Sequence, residues 1–376
     1  MPLGMRSIEQ LLHKRLLICV GCGGVGKTTT AAALALAGAL HGRRSGVITV
    51  DPARRLKDAL GLDGLSVEPR RVAVDSVAHF DALALDSKRT FDAIIERFAP
   101  NAAVANRILT NRLYQELSNE LAGSAEYMAM EKLHELLHHG HYQLLIVDTP
   151  PSTHARDVLA APNRLSNLLA SRAVSLLQAP AGLLGGTTSV AARWSLSALL
   201  KALERWTGLE LLHDLADFAA GFEHMVEGFN TRAADVNRLL RAPSTAFVLV
   251  TTPEPHTVDA TIAFHHELLA GGFPVAGVVA NRVLAFPELD GGAVASAAVA
   301  NGAGASLDCS DSMRKRLRLN YAELRELSRR DQRALKRLHA ETKVPLLAAV
   351  PAVTEAPTSL AGLHRFAQIL APGLGS

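Results

Sequence analysis

The feature that most limits what this chain can become is an eight-residue run, Gly21-Cys-Gly-Gly-Val-Gly-Lys-Thr28. It fits G-x-x-x-x-G-K-[ST] at every defined position. Its flanks matter as much. Leu16-Leu-Ile-Cys-Val20 before it is apolar without alternation, as befits a strand buried on both faces. Thr28 to Leu40 after it is rich in Ala and Leu and free of breakers, which predicts a helix. Strand, glycine loop and helix in that order form a phosphate cradle. Glycines let backbone N–H groups curl around phosphate oxygens, and the helix N-terminus adds the positive end of its dipole. Lys27 would pair with β- and γ-phosphates, and the Thr28 hydroxyl would ligate Mg²⁺.

A nucleotide hydrolase also needs carboxylates at the tips of neighbouring strands. Asp148 follows the apolar run Leu144-Leu-Ile-Val147 at the end of an expected strand, Tyr142 to Val147, the arrangement of a magnesium-holding aspartate. Asp51 follows Val47-Ile-Thr-Val50. Short strands are also expected at Leu83 to Leu85, Ala246 to Val250, Val275 to Ala280 and Val344 to Val350. Helices are expected over 87–98 and, in pieces, over 102–139. Strands alternating with helices imply an α/β fold, a parallel doubly wound sheet of about seven or eight strands in one domain spanning 1–376. From 155 to 240 almost nothing reads as strand, so a Leu-rich helical subdomain is inserted there. The Gly/Ala/Ser-rich stretch 286–310 reads as a flexible loop.

Composition removes several function classes. Hydrophobic residues make up 48% of the 376 positions and charged residues 20%, so general disorder is excluded. Three cysteines cannot build a disulfide framework. No apolar run is long enough to cross a bilayer and the N-terminus does not read as a signal peptide, so a cytoplasmic location is expected. A net charge of +3 makes the chain no polyelectrolyte binder, and no nucleic-acid partner is expected. The charge is uneven, however. Residues 311–343 hold eleven Lys/Arg against five Asp/Glu. Leu317, Tyr321, Leu324, Leu327, Leu335 and Leu338 recur there every three to four residues or a multiple of that, which predicts a helix with a solvated basic face.

Taken together, Gly23-Gly-Val-Gly-Lys-Thr-Thr29, Asp51-Pro-Ala53 and Asp148-Thr-Pro-Pro151 resemble the ArsA-type, or anion-transporting, ATPases. These P-loop NTPases of the deviant-Walker class include the arsenite-pump ATPase and the Get-pathway ATPase that targets tail-anchored membrane proteins. The resemblance covers nearly the whole chain. It implies that Gly23, Gly24, Val25, Gly26, Lys27, Thr28 and Thr29 hold the phosphates of ATP and its Mg²⁺. It implies that Asp51 orients the attacking water and that Asp148 holds Mg²⁺ through water. Asn281 would read the adenine ring and Pro351 would lie beside it. The resemblance further implies a dimer, with itself or with a paralogue, and hydrophobic or membrane-protein clients, or a membrane partner, for the inserted helices.

One departure stands out. The family usually has a second lysine where this chain has Cys22, and that lysine supplies charge across the dimer interface. A cysteine supplies no fixed positive charge. Arg54 and Arg55 are the nearest substitutes in sequence, and a paralogous partner is the other route. Two alternatives remain open. The energising ATPase of an arsenite or anion efflux pump is one, although three scattered cysteines argue against a thiolate site for arsenite. The other is a zinc hydrolase, because His134-Glu-Leu-Leu-His138 matches H-E-x-x-H, with Glu135 as the base. Cys19 and Cys22 form C-x-x-C but sit in a strand and a loop, where a tetrahedral site is poorly served.

Overall fold

A computed structural model describes residues 8–50, 54–60, 62, 65, 68–74, 78–99, 101–111, 114, 125–139, 141–150, 231–232, 234–284, 310–352 and 359–372. The inserted block expected over 155–240 falls mostly outside them, as does nearly all of the expected loop 286–310 and the whole of 51–53. The described part of 231–241 is helical and runs into the sheet.

Among the described residues eight strands form one sheet: β1 (Leu16–Val20), β2 (Ser45–Thr49), β3 (Arg70–Ala73), β4 (His79–Ala84), β5 (Leu144–Asp148), β6 (Thr245–Thr251), β7 (Val275–Val283) and β8 (Leu346–Pro351). Their order is β3-β4-β2-β5-β1-β6-β7-β8. All neighbours are parallel except β3 and β4. Helices among the described residues include α1 (Glu9–Leu12), α2 (Lys27–Leu40), α3 (Arg54–Leu60), α4 (Ser87–Phe98), α5 (Ala102–Thr110), α6 (Ala125–His139), α7 (Pro255–Ala270), α8 (Asp311–Thr342) and α9 (Leu360–Leu370).

The strand faces sort cleanly. Leu17, Cys19, Val47, Leu144 and Ile146 pack with α2 and α9, whereas Leu16, Ile18, Ile48, Leu145 and Val147 pack with α6, α7 and α8. This is the two-sided cover that a parallel sheet requires. α2 lies close on its face because it is built of small residues. A Cβ at Gly38 would come within 2.7 Å of Leu144. β1 is the strand from which the chain moves one way to β2 and later the other way to β6. Ligands of doubly wound sheets bind at that reversal, beyond the strands' C-terminal ends.

Several elements differ from the sequence expectation. β3 is an edge strand with three of its four residues exposed, and its Arg70 and Arg71 carry no strand signature. β4 starts at His79, four residues before the apolar run that marks it. β7 continues to Val283, so Asn281 lies within the strand rather than after it. The basic segment is a single 32-residue helix, as expected. Only its second half is covered: Ser328, Asp331, Leu335, Leu338 and Thr342 are buried, whereas Met313, Leu319 and Leu324 are exposed. Asp331 accepts from the Leu284 N–H at 3.0 Å and fastens α8 to the end of β7.

Candidate nucleotide site

The loop between β1 and α2 has the backbone that glycine permits. Gly21, Gly24 and Gly26 take φ of 151°, 77° and 98°. Gly26 is the N-cap of α2 and offers no side chain there, so the first N–H groups of the helix are left for an external acceptor. A Cβ at Gly21 would meet the Val250 carbonyl oxygen at 2.2 Å, and one at Gly26 would meet Asn281 Nδ2 at 2.3 Å. At Gly24 nothing stands within 4 Å, so the loop opens there. Gly23 and Gly24 are exposed, Val25 is buried, and Thr28 and Thr29 are half-buried at the start of α2. Lys27 is the first residue of that helix, and its Nζ donates to the carbonyls of Gly21 and Cys22, each at 2.9 Å. The cation thus spans the loop from inside.

Asp148 ends β5, which lies between β1 and β2. Alternation along β5 turns it to the same face as Leu144 and Ile146, the face that α2 covers. In register it sits opposite Cys19 on one side and Thr49 on the other. Thr49 Oγ1 donates to Asp148 Oδ2 at 2.9 Å, both side chains fully buried. Thr149 Oγ1 donates to the Cys19 carbonyl at 2.8 Å. Charge reaches the neighbouring thiols. Burial and Asp148 push the Cys19 thiol up, against an opposing pull from Lys27. Burial also raises Cys22, again opposed by Lys27. Both remain neutral thiols at neutral pH.

The structure therefore sets Lys27 and Thr28 at the start of α2, on the sheet face to which Asp148 turns. Asn281 is beside them, 8% exposed, with Nδ2 donating to the Val25 carbonyl at 2.9 Å. Pro351 ends β8, the strand next to β7, and is exposed. Asp51 lies outside the described residues. Arg54 and Arg55 open α3, but their side chains lie outside the described part. Sequence reasoning missed Thr49. A β-branched residue in a strand carries no signal by itself, and only the register to Asp148 singles it out.

The H-E-x-x-H residues lie elsewhere, on α6. The His134 and His138 rings are 4.3 Å apart, and Glu135 pairs with Lys132 at 3.1 Å. Glu131, one turn before His134, receives the Arg232 Nε on both oxygens at 3.0 Å, and the guanidinium lies over the Phe98 ring. Burial, helped by His138, lowers the His134 pKa. Among the described residues no group of three or more His, Cys, Asp or Glu is placed to hold a metal ion.

A glycine loop spanned by its own lysine, opening a helix beside a buried strand-end aspartate, defines the class of P-loop nucleoside triphosphatases. The comparisons narrow this. Residues 14–296 match the model of the ArsA family of anion-transporting ATPases, and the chain belongs to that family. It is similar to the ATPase ASNA1 homolog 1 of Paramecium tetraurelia, 31% identical over 38% of this chain and 42% of that protein. It is similar to the uncharacterized protein SCO2128 of Streptomyces coelicolor, 30% identical over 72% of this chain and 63% of that protein. It is also similar to the ATPase get3 of Neurospora crassa, 26% identical over 75% of this chain and 77% of that protein. The chain thus spans less than two thirds of the length of the first two of these relatives. No described helix is long and apolar enough to cross a membrane.

Proposed function

We propose that this protein binds and hydrolyses ATP with Mg²⁺ and uses the cycle as a switch, acting as a dimer on hydrophobic or membrane-protein clients. One observation carries the nucleotide half: Lys27 and Thr28 open α2 on the sheet face to which Asp148 and Thr49 also turn. The donor set fits magnesium. A threonine hydroxyl and a carboxylate are hard oxygen ligands, and no soft ligand competes, since both described thiols stay protonated. Thr28 would hold the ion directly and Asp148 through water. When bound, the ion neutralises charge on the β- and γ-phosphates. Lys27 would exchange its two loop carbonyls for phosphate oxygens. Glycine N–H groups would take the rest of that charge, and Asp51, two residues past the end of β2, would orient the attacking water.

The switch follows from placement. Asp148 ends β5 and is followed within a few residues by the block expected over 155–240, and Asp51 comes two residues after the end of β2 in sequence. An interaction with the γ-phosphate would be felt at both exits, and hydrolysis would release them. The client and dimer parts rest on family resemblance and on the Leu-rich sequence of the block. Among the described residues the cysteines do not support a thiolate site for arsenite: Cys19 is buried in β1 and Cys22 is in the loop.

The test is ATP turnover per subunit over a range of protein concentrations, with Lys27→Ala as control. A rate that rises with concentration and vanishes in Lys27→Ala supports a self-assembling ATPase. Bound ATP with a flat, near-zero rate moves the missing charge to a paralogous subunit. Turnover that survives Lys27→Ala sinks the assignment.

A further inference from the structure

α8 is longer than the sheet needs. β7 and β8 are parallel neighbours, so the helix between them runs back against the strand direction. Asp331 marks where it clears the sheet, because its carboxylate accepts from the N–H of Leu284, the residue after β7. Residues 311–330 therefore extend past the C-terminal edge of the sheet, the edge on which the glycine loop also lies. At the α-helical rise this overhang is about 30 Å long.

The overhang differs from the rest of the helix in two ways. The first is apolar exposure. Five large apolar side chains are exposed among the described residues, and three of them, Met313, Leu319 and Leu324, stand here, 47%, 61% and 41% exposed. The second is charge. Residues 311–330 hold seven Lys/Arg against three Asp/Glu. Nearer the sheet the cations are matched: Arg330 pairs with Asp331, Arg333 with Glu326 and Arg337 with Asp259. Toward the free end Lys315, Arg316 and Arg325 are exposed, with no carboxylate partner among the described residues.

We propose that the overhanging half of α8 docks on a membrane surface that carries anionic lipid. A basic helix with exposed apolar side chains matches such a surface, whose headgroups take the cations and whose acyl boundary takes the apolar groups. A nucleic acid would answer the charge but would leave Met313, Leu319 and Leu324 in water. A stable protein interface buries about 800 Å² per partner, and a single convex helix offers no groove to supply it; a lipid surface deforms around a convex helix. Leu335 and Leu338 face the body, so the helix cannot lie flat on a plane along its whole length. It enters the headgroup layer obliquely, free end first. Docking thus turns the nucleotide edge of the sheet toward the membrane.

The experiment is vesicle flotation of the full chain, with phosphatidylcholine vesicles and with vesicles containing about one-third phosphatidylserine. Binding is expected to the anionic vesicles alone and is expected to fall steeply as salt is raised. Lys315→Gln/Arg316→Gln/Arg325→Gln is expected to weaken it at least tenfold, at about fivefold per cation near the surface. Arg333→Gln/Lys336→Gln/Arg337→Gln removes the same charge from the covered half and is expected to bind as wild type does. Met313→Ser/Leu319→Ser/Leu324→Ser keeps every charge and is expected to lose about tenfold, because these side chains no longer enter the acyl boundary. All nine positions are exposed, so the fold does not depend on them. A wild type that ignores anionic vesicles overturns the proposal, and so does equal weakening by the two glutamine triples. Binding that the serine triple leaves unchanged, or that poly-uridylate or polyglutamate matches in strength, makes the overhang a polyanion or acidic-protein site and overturns it as well.

Discussion

The side chain of Lys27 is bonded to the backbone of Cys22, Nζ to carbonyl at 2.9 Å. The position at which the family usually carries a second lysine is thus held by its main chain, while its half-buried side chain packs at the margin of the core. Cys22→Lys should therefore leave the loop intact. If the missing charge limits hydrolysis, turnover in the concentration-dependent regime should rise at least about tenfold, as charge supplied in trans does in other P-loop enzymes. Steady-state ATPase assays at matched dimer fraction check this. An unchanged rate would mean that another group already supplies the charge.

Gly26 and Gly24 share a positive φ but not their surroundings. Alanine at Gly24 meets open space and suffers only the left-handed penalty, about 1–2 kcal/mol. Alanine at Gly26 adds a collision with Asn281. Gly26→Ala should lose more stability in urea denaturation and more ATP affinity than Gly24→Ala. The reverse order would contradict the geometry.

Thr49→Val keeps the shape of β2 and removes the donor to Asp148 Oδ2. A buried hydrogen bond to a carboxylate is worth about 1.5–3 kcal/mol, so a loss near that size is expected in equilibrium unfolding. Asp148 would then be less firmly oriented. The Mg²⁺ concentration for half-maximal turnover should rise, with the affinity for metal-free ATP unchanged. Equal weakening of both would make Thr49 merely structural.

Burial lowers the pKa of two histidines. His134 faces Glu131 and Asp235, which favour its charge, and His138 and Arg232, which oppose it; His265 is 2% exposed beside His266. A histidine with a lowered native pKa binds its proton more readily when unfolded. Stability should therefore be constant above pH ~6.5, the unfolded value, and fall as the pH drops below it. The urea midpoint between pH 7.5 and 5.5 reports this, and a His134→Gln/His265→Gln variant should flatten the slope. An undiminished slope would place the effect on other groups.

Legibility in the sequence followed physical signal strength. β1, the glycine loop and α2 were plain because an apolar run, a glycine cluster and an alanine-rich helix each leave a distinct pattern. α4 runs from Ser87 to Phe98 as its sequence predicts, with Asp86 capping the helix by accepting from the Arg89 N–H. β3 was invisible, since an exposed edge strand needs no apolar alternation. Asp148 was recognised by its place after a buried strand. Its partner Thr49 and the reach of Asn281 to Val25 were not, because both depend on which strands become neighbours. Sequence spacing does not encode that.

β1, β2 and β5 are buried at every position. Strands that are apolar on both faces give up little hydrophobic burial when they slide past one another, so greasiness alone aligns them poorly. The hydroxyl of Thr49 on Asp148 and that of Thr149 on the Cys19 carbonyl are matched in one alignment only. Any slip leaves a carboxylate sealed in the centre of the sheet without its threonine donor, a heavy penalty. The residue at the heart of the proposed nucleotide site is thus also an indexing pin for assembly of the sheet.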